Sequence, residues 1–212
     1  MVLWIMNALS PQVVRERLMS GDSVFQKRMV EYLETAHQGE FCEDNHIGVR
    51  DRVAEASSLP DYADPTHTMP ESAPPPCKVE NCQDCECCDG LRGWWVRLKD
   101  VVNDLLLKSN MHTCINAKCR PKGQIDCKSR FPRDTFAQTL LDTGTGALTM
   151  KKGDPDMNTF NYIMTYLLRC NSDVTSLLSG TAMKAVVAYV TEYITKTGLK
   201  TYHVFDIIRS VF

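Results

Sequence analysis

The chain contains no run of about 18 apolar residues, so no membrane-spanning helix is predicted. It lacks a basic lead-in followed by an apolar stretch and a small-residue cleavage site, so the opening Met1-Val2-Leu3-Trp4-Ile5-Met6 is not read as a secretory signal. No Gly-x4-Gly-Lys-Ser/Thr occurs, and Thr143-Gly144-Thr145-Gly146 is therefore a turn and not a phosphate loop. Aromatic residues make up only 8%, and the net charge is close to neutral at −2. That near-neutrality excludes a uniformly basic nucleic-acid coat but hides two opposed segments.

Between Gln38 and Asp89, twelve acidic residues face three basic ones. Six of the ten prolines (Pro60, Pro65, Pro70, Pro74, Pro75, Pro76) fall in the same stretch. Low apolar content, like charge and proline predict a largely disordered insertion. From Ala117 to Arg133, Lys118, Arg120, Lys122, Lys128, Arg130 and Arg133 outnumber the single Asp126. Such a block can meet a phosphate backbone with salt-sensitive affinity, or be an ordinary solvated loop.

Ten cysteines in a chain with no secretory signal point to reduced thiols or zinc and away from a disulfide framework. One group reads Cys77-x4-Cys82-x2-Cys85-x-Cys87-Cys88, in which Cys82 and Cys85 offer the CxxC spacing that zinc favours. A second reads His112-x-Cys114-x4-Cys119-x7-Cys127. The second could close a tetrahedral site unaided, or the two groups could share one ion. At least one structural zinc is expected, and spacing alone does not choose the four ligands.

Helices are predicted over Pro11–Met19, with Ser10 and Pro11 at the start, and again after Asp22-Ser23, with Phe25, Met29, Tyr32 and Leu33 on one face. Another is predicted from Trp94 to about Lys108, packed through Trp94, Leu98, Val101, Val102 and Leu105. Ala147–Lys151 reads as a strand. Asn158–Leu168 reads as a helix with Phe160, Met164, Leu167 and Leu168 inward, and Asn171–Leu178 as a strand. The helix after Ser179-Gly180-Thr181 puts Tyr189 and Tyr193 one turn apart with Lys196 on their side. Its core stripe is predicted to be Met183, Val187, Val190 and Ile194. Two phenols beside an ammonium suit phosphodiester cleavage, in which a tyrosine oxygen attacks phosphorus and the cation neutralises charge. Half-buried packing is the ordinary alternative.

The ordered series Leu105-Leu106-Leu107-Lys108-Ser109-Asn110, His112-x-Cys114, Cys127-Lys128-Ser129-Arg130-Phe131-Pro132-Arg133, Asn158-Thr159-Phe160-Asn161, Leu167-Leu168-Arg169-Cys170-Asn171 and Tyr189-x3-Tyr193-x2-Lys196 resembles the Helitron helicase-like domain, the Rep-type rolling-circle replication initiator region of Helitron transposases. The likeness covers Met1 to about His37 and Trp94 to Phe212. It implies an α+β fold, a partial antiparallel sheet flanked by helices, to which composition and spacing add a Cys-rich zinc-type loop region and the disordered acidic insertion. The implied boundaries are 1–37, an insertion over 38–92, and 93–212. It also implies a Mg²⁺- or Mn²⁺-dependent endonuclease and strand transferase for single-stranded DNA, nuclear, with Tyr189 and Tyr193 as nucleophiles and Lys196 beside them.

The family's His-hydrophobic-His cation motif is absent from the 212 residues, as is its helicase domain. The expectation is a truncated Rep domain, inactive alone. The alternatives are a non-enzymatic zinc-stabilised nucleic-acid-binding module and a degenerate transposon relic.

Overall fold

A computed structural model describes residues 8–80, 82, 85–114, 119–120, 126–175, 184 and 186–191. The chain divides into two compact units. One comprises Met1–Asp22, Thr143–Ala147 and Leu177–Phe212, and the other Ser23–Asp142 and Leu148–Ser176.

In the first unit, α1 (Pro11–Met19) begins where the sequence places it. The Ser10 hydroxyl accepts from the Val13 N–H at 3.3 Å, and Pro11 occupies a position with no N–H to satisfy. Gly146 lies in the left-handed region at φ +69°, where its missing side chain leaves room for Arg15. Residues 186–191 are helical.

The second unit is organised on α4 (Glu86–Leu105), which continues into a π-helical turn over Leu106–Asn110. Trp94, Leu98, Val102, Leu105 and Leu106 are buried, and all but Leu105 share one cluster with Phe41, Val49, Val53, Met157, Phe160 and Tyr166. Against it pack α3 (His46–Ser57) and α5 (Tyr162–Leu168), and the same unit holds α2 (Ser23–Ala36). The sheet is small: β1 (Leu140–Asp142) pairs with β2 (Ala147–Thr149), and further antiparallel contacts are single bridges, Gln38 with Phe160, Met111 with Met157 and Phe136 with Lys152.

Two buried asparagines replace missing strand pairing. The Asn103 amide accepts from the Cys42 N–H at 2.8 Å and donates to the Cys42 carbonyl at 3.1 Å. The Asn110 amide likewise accepts from the Ser172 N–H at 3.1 Å and donates to the Ser172 carbonyl at 3.0 Å. Both satisfy backbone groups that burial would otherwise leave orphaned.

Several expectations are corrected. The stretch 38–92 is not a structureless insertion. Asn45 caps α3 by accepting from Ile47 and Gly48, and Phe41, Val49 and Val53 enter the core. These few apolar residues fall on one face, a pattern that the average acidity of the segment masks. The helix predicted from Trp94 begins at Glu86, so the boundary at residue 92 falls inside α4. In α5 the inward residues are Thr165 and Tyr166, while Leu167 (57%) and Leu168 (51%) are exposed, because the helix starts only at Tyr162, after the Asn161 cap. Phe160 is buried in the bridge to Gln38 instead. On α2 only Leu33 is buried and Tyr32 is exposed. Val187, expected in a core stripe, is 58% exposed. Residues 171–175 form no regular strand.

Candidate metal centres and nucleic-acid interface

The ten cysteines form no disulfide. Eight ligating atoms gather instead into two quartets. One is Cys77, Cys82, Cys85 and Cys88, the other His112, Cys114, Cys119 and Cys127, and within each the ligand atoms all lie within 4.8 Å of one another. The two groups do not share a site, and each could hold a metal ion such as zinc.

The first quartet sits at the start of α4. Cys85 is the N-cap residue, and Cys88, three positions on, lies on the same helical face. Cys85 Sγ stands 3.7 Å from Cys77 Sγ and 3.6 Å from Cys88 Sγ. A tetrahedral ion with bonds of about 2.3 Å to sulfur requires edges of about 3.8 Å. The thiols are therefore spaced for an ion and far too distant for a disulfide. Cys87 points elsewhere, its thiol donating to the Pro75 carbonyl at 3.1 Å. Sequence reasoning named the five-cysteine group and singled out Cys82 and Cys85, without choosing Cys77 and Cys88 as the other two ligands. The i, i+3 relation of Cys85 and Cys88 at a helix start was the available signal.

The second quartet follows the π turn. His112 is held by its backbone, which donates to the Asp156 carbonyl at 2.7 Å beside the Met111–Met157 bridge. Its Nε2 lies 3.2 Å from both Cys114 Sγ and Cys127 Sγ. The imidazole stacks on buried Phe131, with centroids 4.3 Å apart and planes 12° from parallel. Phe131 thus fixes the ring orientation that a ligand needs.

Each quartet carries one thiol poised to ionise. The backbone N–H of Cys88, followed by the neighbouring thiols, pushes Cys85 down to about 6, while Cys85 pushes Cys88 up to about 12. Cys127 is pushed down to about 7, first by the Phe131 N–H, against the opposing effect of burial. Cys114 is shifted up, chiefly by Cys127. One ready thiolate per site can capture an ion, whose charge then displaces the remaining protons. Buried Cys42, pushed up to about 12 by desolvation, has no such role.

Residues from five of the six motifs of the ordered series, all but the tyrosine motif, meet beside the second quartet. Arg133 donates to Asn158 Oδ1 at 3.1 Å, pairs with Asp173 at 3.7 Å and lies over the Phe131 ring. Asn158 Nδ2 donates to Asn171 Oδ1 at 3.2 Å. The Thr159 hydroxyl lies 2.8 Å from Asp173 Oδ1 and 2.7 Å from the Val174 carbonyl. Asn110 and Ser172 close the same hub.

Of the predicted basic contacts, Arg120, Lys128 and Arg130 are exposed around this quartet, whereas Arg133 is already engaged in the hub. Lys118 and Lys122 lie outside the described residues, as do Tyr193 and Lys196. Tyr189 is helical and 65% exposed, in the first unit, whereas both quartets belong to the second. No helix among the described residues is long and apolar enough to cross a membrane. No family model, curated protein or solved structure matches the chain.

Proposed function

We propose that the chain is a zinc-stabilised module of a Helitron-type Rep protein that grips single-stranded DNA and does not cut it alone. The observation that carries the reading is the meeting of residues from five of the ordered motifs, the tyrosine motif apart, in one polar hub beside the His112 quartet. Residues scattered from 110 to 173 gain a common purpose if that loop must be held rigid. The ion would be zinc, since three thiolates and an imidazole form a closed donor set typical of structural sites. With one histidine and three thiolates around it the centre carries a single negative charge, which exposed Arg120, Lys128 and Arg130 outweigh. These cations would track the phosphate backbone.

Nicking requires more. A divalent cation bound at a histidine pair would polarise the scissile phosphate, and the 212 residues contain no such pair. The exposed phenol of Tyr189 suits attack on phosphorus, but the uncompensated phosphate charge would leave its rate negligible.

Fluorescence anisotropy with a labelled single-stranded oligonucleotide tests the reading. Three exposed cations predict a log–log salt slope of about −2, at about −0.7 per single-strand phosphate contacted. Lys128→Glu with Arg130→Glu should cut it to about −0.7. A salt-independent signal, or an unchanged slope in that variant, would overturn the proposal. With Mn²⁺ present, a covalent DNA adduct lost in Tyr189→Phe would overturn the claim that the chain does not cut alone.

A further inference from the structure

The connection between α3 and α4 is 28 residues long, and among its described residues only Pro65 is buried. A connection of that length without secondary structure is normally either functional or disordered. Composition predicts disorder, yet residues 62–71 lie as a strap across α4 and α5. Apart from buried Pro65, the strap is tied mainly by polar contacts. The Tyr62 hydroxyl meets Asp104, and Asp64 pairs with Lys108 at 2.9 Å. Arg169 donates to the Pro65 carbonyl at 3.1 Å. The Glu71 carbonyl accepts from Trp94 Nε1 at 3.3 Å and from the Tyr166 hydroxyl at 2.9 Å. Beneath the strap lies a cavity of about 340 Å³, lined in part by Val53, Ala56, Val101 and Tyr166. Tyr62, Pro65 and Met69 of the strap border this open space and do not fill it, and Met69 is 88% exposed, so apolar burial contributes little to holding the strap down.

What ends the strap is the first quartet. A proline run, Pro74-Pro75-Pro76, leads directly into Cys77, whose partners Cys85 and Cys88 cap and begin α4. We propose that the all-thiolate quartet takes a thiophilic divalent ion of its own, and that this ion is the clasp ordering the acidic strap. With the ion bound, Cys77 is fixed against the first turn of α4 and the strap must cross the helix. Without it, the connection is an open acidic loop of the kind its composition specifies. This goes beyond the DNA-binding reading, which uses the other quartet.

Zinc is the natural occupant, because four sulfur ligands exclude hard cations such as Mg²⁺ and Ca²⁺ and the spacing fits a tetrahedron. Binding couples to order for a general reason: the ion favours the state in which its four ligands are already gathered.

The test uses the full chain saturated with Zn²⁺, or with Co²⁺ as a coloured probe. Native mass spectrometry should count two ions in the wild type and one in Cys77→Ser/Cys85→Ser. Hydrogen exchange in that variant should rise at least tenfold over residues 58–85, while α3, α5 and the His112 loop stay protected. Unchanged protection of 58–85, or a single ion in the wild type, would overturn the proposal. Should the variant fail to fold, graded chelation of wild-type protein probes the same coupling. Loss of strap protection must then follow the Co²⁺–thiolate absorption of one ion while the Trp94 core remains protected, and strap protection that survives chelation refutes the clasp. Oligonucleotide binding should persist in Cys77→Ser/Cys85→Ser. If DNA binding is absent from the wild type as well, the functional reading fails and the clasp stands.

Discussion

Asn103 offers the most direct test of how the second unit is held together. Its side chain is 2% exposed and bonds both backbone groups of Cys42, 61 residues away. Asn103→Leu keeps the branching of the side chain, though it is larger, and removes the amide that serves both Cys42 groups. Each buried backbone group left unsatisfied costs about 1–3 kcal/mol, so the pair costs about 2–6 kcal/mol. Burying the leucine returns about 2 kcal/mol, for a net loss of up to about 4 kcal/mol. Asn103→Asp separates hydrogen bonding from shape. At neutral pH an ionised carboxylate would face the Cys42 carbonyl, while the protonated acid can both accept from the Cys42 N–H and donate to its carbonyl.

Burial raises the introduced carboxyl above its unfolded value of about 3.9. A group raised in the folded state contributes stability that is present at low pH and lost as pH rises through the folded value. Relative to wild type, Asn103→Asp should therefore gain stability as pH falls from 8 to 5.5. Urea unfolding followed by far-ultraviolet circular dichroism, with Zn²⁺ in excess, measures both effects. A leucine variant more stable than wild type, or a pH-independent aspartate variant, would refute the clamp.

Other predictions are brief. His112→Ala should lose one ion of two by native mass spectrometry and expose the Phe131 face, whereas Phe131→Leu should keep the ion but weaken its affinity about tenfold or more through lost orientation of the ring. Lys151 is shifted up by Glu40, which it contacts on an exposed surface. Its contribution is present below the ordinary lysine value and lost as pH rises through the raised one, so Glu40→Gln should cost under about 1 kcal/mol at pH 7, and the cost should fade as Lys151 loses its proton at higher pH in the same urea titrations. Tyr189→Phe should leave thermal stability unchanged within about 0.5 kcal/mol, because the residue is largely exposed.

Much of the fold was legible because it follows local rules. Ser10-Pro11 starts α1, and the turn at 143–146 joins β1 to β2. The Trp94, Leu98, Val102, Leu105 spacing marks the central helix, and all four are buried. The second group offered just four candidate ligands, yet its spacing left open a site shared with the first, and in the first Cys88 could be separated from Cys87 only once the phase of α4 was known. The strap 62–71 was not legible, because its hold depends on Asp104, Lys108, Tyr166 and Arg169, which are far away in sequence. Nor did any periodicity announce the two asparagine clamps, since a buried amide reads as a helix-surface residue until its distant backbone partner is seen.

The π-helical turn after Leu105 has one more consequence. Up to that point the phase of α4 is dictated by Trp94, Leu98 and Val102 against the core, and beyond it by Asn110 and His112 against segments 156–158 and 172. A regular helix advances about 100° per residue and could serve both sets only by coincidence. The widened turn uncouples them, so that substitutions inside the helix can drift without re-aiming the histidine. Deleting a single residue between Leu106 and Asn110 should therefore do to the metal loop what no point change in the apolar face could.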